Sequence, residues 1–193
     1  MTFIAGRRRS GASMNRHCGD CQLCCKLLPI PELHKGAGER CKHQRAGKGC
    51  MIYSQRPPQC MLWSCRWLAD PEATAKLRRP DRSHYVLDIV PDFITVREGE
   101  DEEWRYIEVV QVWIDPDSPD AHRDPALREY LAKLGERGCA ALIRYSATEA
   151  FTLFPPALSN DGQWHEVRGS IREKAHTAAE KLAALGNMTM TGQ

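Results

Sequence analysis

Cys18-Gly19-Asp20-Cys21-Gln22-Leu23-Cys24-Cys25 packs four thiols into eight residues, and four more follow at Cys41, Cys50, Cys60 and Cys65. The spacing is C-x2-C-x2-C-C-x15-C-x8-C-x9-C-x4-C, which leaves only Cys139 of the nine cysteines outside the cluster. Thiolates two residues apart on a tight turn bend toward one point, the arrangement that holds a soft metal ion. Neighbours Cys24 and Cys25 are expected to point apart and so to serve different ions. The thiols read as ligands rather than bridges. Their number is odd, vicinal cysteines rarely pair with each other, and no apolar segment of a secretory signal follows Arg7-Arg8-Arg9. No apolar run is long enough to span a membrane, so the expected location is the cytoplasm.

Two metal groups suit this donor set. Four thiolates satisfy the tetrahedral preference of zinc, so eight make two closed sites. Three cysteines at C-x2-C-x2-C with a distant fourth also resemble the start of a ligand run for a [4Fe–4S] cluster, although the usual C-x3-C-P ending is replaced here by Cys25. Spacing alone leaves zinc and iron both open. His17, His34 and His43 lie in the same segment but read as solvent-facing or supporting residues rather than substitutes for a thiolate.

The cluster has a wider signature. Cys18-x-x-Cys21-x-x-Cys24-Cys25, Cys41, Gly49-Cys50-x-Ile52-Tyr53, Arg56-Pro57-x-x-Cys60 and Cys65-x-Trp67 together resemble the CxxCxxCC cysteine-cluster family, the zinc- or iron-chelating YkgJ-like domains. The resemblance covers about residues 15–68. It implies metal chelation by Cys18, Cys21, Cys24, Cys25, Cys41, Cys50, Cys60 and Cys65. Related cysteine motifs accompany flagellin lysine methylases, which keeps an iron–sulfur enzyme in view. No motif in the second half names an activity.

Around the cluster the chain divides into four parts. Residues 1–14 are short, basic and rich in Gly and Ser, and read as disordered. Residues 15–80 form a loop-rich metal module with too little apolar surface to fold without help, so a bound metal is expected to supply folding free energy. Short helices are expected at Cys21–Leu28, around Pro57–Trp67, and at Pro71–Leu77 after Asp70 as cap. Arg56-Pro57 reads as a turn whose guanidinium bonds a carbonyl or a nearby acid. Trp63 and Trp67 read as an apolar lid over the site.

Residues 81–186 read as an α+β domain, a small and mostly antiparallel sheet packed by two helices, with residues 187–193 as a disordered tail. Strands are expected at His84–Val90, Phe93–Arg97, Trp104–Ile114, Cys139–Tyr145, Glu149–Phe154 and Trp164–Val167. The helices are expected at Pro125–Arg137, capped by Asp124 and stopped by Gly138, and at Ser170–Leu185. Glu98–Glu103 reads as a solvated hairpin tip. Cys139 opens an apolar strand and reads as a buried small hydrophobe rather than a nucleophile.

Charge is lopsided. Residues 1–82 hold 16 Lys and Arg against 6 Asp and Glu, a balance of +10, and the remainder carries −8. A basic half can mark a nucleic-acid face, but eight thiolates need neutralising too, and that is the favoured use. Three readings remain: a metal-binding protein that serves a protein partner, an iron–sulfur-dependent redox or modifying enzyme, and a nucleic-acid binder. No nucleotide loop, nucleophile–base set or paired carboxylates point to a substrate.

Overall fold

The computed structural model describes residues 16–96 and 105–168. The expected N-terminal disorder, the acidic tip at Glu98–Glu103, the closing helix at Ser170–Leu185 and the 187–193 tail all lie outside those residues. Residues 16–83 run as short elements joined by turns: α1 (Leu23–Leu27), a two-strand ribbon of β1 (Gln44–Arg45) and β2 (Gly49–Cys50), then α2 (Pro58–Leu62), α3 (Arg66–Ala69) and α4 (Pro80–Ser83). No helix among the described residues is long and apolar enough to cross a membrane.

The expected helix at Pro71–Leu77 is absent, and residues 71–76 form turns instead. Most of the backbone bonds there reach three residues back, Ala75 N–H to the Glu72 carbonyl at 3.2 Å and Leu77 N–H to the Thr74 carbonyl at 3.0 Å. The Arg16 guanidinium donates to the Trp67 carbonyl at 2.7 Å and to the Thr74 carbonyl at 3.1 Å, while the buried Thr74 hydroxyl donates to the Asp70 carbonyl at 2.6 Å. Those contacts pin the turns to the chain around Arg16 and Trp67.

The rest is an α+β fold, as the sequence leads one to expect. The sheet contains β3 (Tyr85–Leu87), β4 (Asp92–Val96), β5 (Arg105–Ile114), β6 (Ala140–Arg144), β7 (Ala150–Phe154) and β8 (His165–Val167), in the order β3-β5-β6-β7-β8. β4 pairs with the first half of β5, from Asp92 opposite Val109 to Val96 opposite Arg105. All pairs are antiparallel except β5 with β6. A parallel pair needs a long crossover, and α5 (Pro125–Gly135) lies within it. The Asp124 side chain caps α5 by accepting from the Ala126 N–H at 2.9 Å, and Gly138 turns the chain away at φ +84°.

Alternation along the strands gives the sheet two buried faces. Tyr85, Leu87, Val110, Val112 and Ile114 face Leu127, Tyr130, Leu131 and Leu134 of α5, and Phe151 and Leu153 complete that core. The opposite face presents Val86 and Trp113, which pack on Leu23 and Leu27 of α1. The cysteine module is therefore seated on the sheet through a shared apolar contact. Charge joins the two parts on both faces: Lys26 pairs with Asp115 and Asp117, and on the α5 side Lys76 pairs with Glu129 at 2.6 Å and Arg78 with Asp124 at 3.4 Å. Part of the basic excess of the first half meets the acids of the second.

Gly135 marks the tightest approach of α5 to its surroundings, since a Cβ built there would stand 2.6 Å from the Pro155 Cβ. Overpacking of this kind costs about 1–3 kcal/mol, against a helix-propensity gain of up to about 1 kcal/mol. Gly135→Ala is thus expected to lower the urea midpoint. An unchanged or raised midpoint would show that α5 does not close on Pro155.

Candidate metal centre

The thiols converge because four separate pieces of chain are each pinned locally. Cys18 and Cys21 flank a turn closed by the Cys21 N–H on the Cys18 carbonyl at 2.9 Å. Gly49 has φ +79°, and a Cβ there would lie 3.3 Å from the Gly19 carbonyl, so its bareness lets β2 bring Cys50 against that turn. Cys24 and Cys25 ride on α1. The Cys41 N–H donates to the Cys25 carbonyl at 3.1 Å, which ties a residue sixteen positions away to the same helix. Cys60 sits in α2 after the Pro57-Pro58 break, and the Cys65 carbonyl accepts from Leu68 and Ala69 at the start of α3.

All eight of these cysteines line one cavity of about 480 Å³ between the module and the sheet. The sheet supplies the far wall through Val86, Asp88, Gln111 and Trp113. Leu28, Ile30, Ile52, Met61 and Trp63 add apolar surface from the module. Cys139 lies apart in the α5-side core, as expected, and burial pushes its thiol up to about 11. None of His17, His34 and His43 lines the cavity, so among the described residues its possible soft-metal donors are the eight thiols, with the Asp88 carboxylate beside them. All nine cysteines are free thiols.

Trp63 and Trp67 both border the cavity beside Cys65, in keeping with the expected lid. Each is anchored by its indole N–H, Trp63 to Asp88 at 2.9 Å and Trp67 to the Leu77 carbonyl at 3.1 Å. The Asp88 bond crosses from the module to the sheet. Arg56 makes the expected turn contact, its Nε donating to the Tyr53 carbonyl at 2.9 Å while the guanidinium lies 3.7 Å over the Tyr53 ring.

Electrostatics link the thiols across the cavity. The Cys60 thiol is raised by burial and by the charges of Cys25, Cys41 and Cys50. Cys65 is pushed up to about 11 by burial, with Cys18 and Cys21 adding to the effect. Cys18 and Cys21 are also raised, chiefly by burial, although the Leu23 and Asp81 N–H groups donate to the Cys21 sulfur and oppose the shift. Cys24 and Cys25 do not simply point apart, because their thiols interact directly: adjacent positions on a short helix stay within reach. The bond from Cys24 brings Cys25 down to about 7, helped by Lys35 and Arg56, and drives Cys24 well up. Their other neighbours do differ. Cys24 faces Cys21 and Cys65, whereas Cys25 faces the two cations.

A soft metal fits this donor chemistry, with one qualification of shape. Among the described residues, no three Cys, His, Asp or Glu side chains stand close enough to hold a single metal ion. A tetrahedral zinc site with bonds of about 2.3 Å needs sulfurs about 3.8 Å apart, so zinc would draw these thiols inward. An iron–sulfur cluster carries bridging sulfide and spans a wider ligand set. Compared with family models, with curated proteins and with solved structures, the chain shows no significant match.

Sequence reading missed Lys35, Asp88, Gln111 and Trp113. The alternation of β5 puts Gln111 and Trp113 on one face, but nothing in the pattern says that the cysteine module covers it.

The thiols should differ in reactivity when the protein is metal-free. With Cys25 lowered to about 7, its thiolate fraction rises through neutral pH, whereas Cys65 and Cys139 at about 11 stay protonated. Iodoacetamide at pH 7.5, followed by peptide mass spectrometry, is expected to label Cys25 well ahead of Cys65 and Cys139. Equal labelling rates would contradict this ordering.

Proposed function

We propose that this is a metal-binding protein, chelating zinc or iron through Cys18, Cys21, Cys24, Cys25, Cys41, Cys50, Cys60 and Cys65. The observation that carries the reading is the convergence of eight thiols, from four pieces of chain, on one cavity. Eight free thiols facing a common space, with Cys18, Cys21, Cys24, Cys60 and Cys65 raised chiefly by burial or by neighbouring thiols, form a poor resting arrangement for anions and a good one for a shared cation. Binding would release protons from these thiols and supply the folding free energy that a turn-rich module lacks. A reducing compartment, the cytoplasm, would keep the ligands unoxidised. The motif resemblance to CxxCxxCC chelating domains points the same way.

The size of the cavity favours a second reading, an iron–sulfur-dependent enzyme. Ligand pockets span about 300–1,000 Å³, and this cavity of about 480 Å³, bordered also by Trp63, Trp113, Asp88 and Gln111, falls within that range. A bound cluster would supply electron transfer; the chain's own part would be to exclude water and hold a small molecule against the sheet wall. Nucleic-acid binding draws less support. Lys26, Lys76, Arg78 and Arg79 already pair with acids of the protein itself.

Anaerobic purification followed by elemental analysis and an absorption spectrum tests the reading. Two zinc ions and a colourless protein, or iron with acid-labile sulfide and visible absorption, are the expected alternatives. Cys24→Ser is expected to lower metal content and soluble yield, and Cys139→Ser to leave metal content unchanged. Absence of both metals, or equal loss in the two variants, would overturn the proposal.

A further inference from the structure

We propose that the mouth of the cysteine-lined cavity is a docking surface for a protein partner, one that presents an acidic segment bearing apolar side chains. The inference does not rest on the metal reading.

Among the described residues seven large apolar side chains are exposed, and five of them gather here: Met51, Tyr53, Met61, Leu62 and Val90. Tyr53, Met61 and Val90 also line the cavity, so they stand where it opens to solvent. Val90 comes from the chain just after β3, and the other two come from the cysteine module, so the rim spans both parts of the fold. Leu62 follows Met61 in α2 and is 85% exposed, while Met51 is tied to the ribbon by its N–H on the His43 carbonyl at 2.9 Å. Apolar side chains scattered singly in solvent are ordinary, but a group of them around one opening marks a contact surface.

Charge says what covers it. Residues 40–68 contain six Lys and Arg and not one Asp or Glu. Among the described residues none of the six forms an ion pair with an acid, unlike Lys26, Lys76, Arg78 and Arg79. Only Arg56 of the six lines the cavity, so the others do not face the thiols. Lys42, Arg45 and Lys48 are exposed along the β1–β2 ribbon, which is rooted at the cavity through Cys50 opposite Gln44. An apolar rim flanked by such cations complements a segment that mixes carboxylates with apolar side chains. Other occupants fit less well. A single-stranded nucleic acid needs stacking platforms, whereas the exposed aromatic ring of this rim, Tyr53, already carries the Arg56 guanidinium at 3.7 Å. A bilayer takes up apolar groups that protrude, whereas these surround a hollow. A second copy docked symmetrically would bring two sets of the same cations together.

A display library of random peptides, selected on the full chain at low salt, is the probe, and fluorescence anisotropy measures the enriched peptides. Peptides that combine Asp or Glu with Leu, Met or Phe are expected, their affinity falling as salt rises. Leu62→Asp should weaken them about tenfold or more, as loss of an apolar anchor does. Reversing Lys42, Arg45 and Lys48 together to Glu should weaken them about tenfold, whereas Arg137→Glu, exposed beyond α5, should change nothing. All these side chains are exposed, and an unchanged thermal midpoint separates lost binding from lost fold. If Leu62→Asp lowers the midpoint, the ribbon variant decides alone. Failure to enrich acidic peptides, or enriched peptides indifferent to the variants that keep their fold, would overturn the inference. So would tighter binding of phosphatidylserine vesicles or single-stranded DNA than of any selected peptide. A wild-type dimer in sedimentation that Leu62→Asp makes monomeric would overturn it too.

Discussion

The contact of Leu23 and Leu27 with Val86 and Trp113 is the constraint on which the rest depends. Residues 16–83 contain helices of only four or five residues and a ribbon of two-residue strands, too little regular structure to sustain a core alone. Seating α1 on the sheet fixes the helix that carries Cys24 and Cys25, and through the Cys25 carbonyl it fixes Cys41. It also creates the cavity, since one wall is the same sheet face. The Trp63–Asp88 bond and the Lys26 pairs with Asp115 and Asp117 hold the two parts in that relation.

This arrangement sets the burial of apolar surface against the burial of thiols. Packing the module on the sheet removes Cys24 and Cys65 from water along with Leu23 and Leu27. The thiols respond as buried acids do, most of them holding their protons more firmly, while Cys25 beside Lys35 and Arg56 goes the other way. A cation shared among the sulfurs would relieve the opposition, joining the pieces of chain that carry them. Metal uptake and completion of the fold would then be one event for the first half, while the sheet and α5 keep a conventional apolar core.

Much of the second half was legible because its signals are local. Asp124 before Pro125, the apolar spacing through Leu134 and the turn at Gly138 delimit α5 within two residues. The alternation of β5 foretold a strand. The cysteine set was legible by spacing, and the exclusion of Cys139 by its apolar neighbours. What escaped is long-range. The wall formed by Gln111 and Trp113 depends on cysteines more than forty residues away, and the burial of Lys35 depends on carbonyls folded around it. Residues 71–77 were misread because their backbone closes in three-residue turns, which Arg16, far along the chain, pins through the Trp67 and Thr74 carbonyls. Charge balance was half-legible: the excess was plain in the composition, but its division between acids at the seam and thiols in the cavity needed the fold.

X-ray absorption at the metal edge of the anaerobically purified full chain tests the central claim most directly. Chelation by the eight thiols that line the cavity requires a first shell of sulfur alone, at about 2.3 Å, whether the metal is zinc or cluster iron. A shell containing nitrogen or oxygen donors, or a protein with no bound metal to measure, would contradict it.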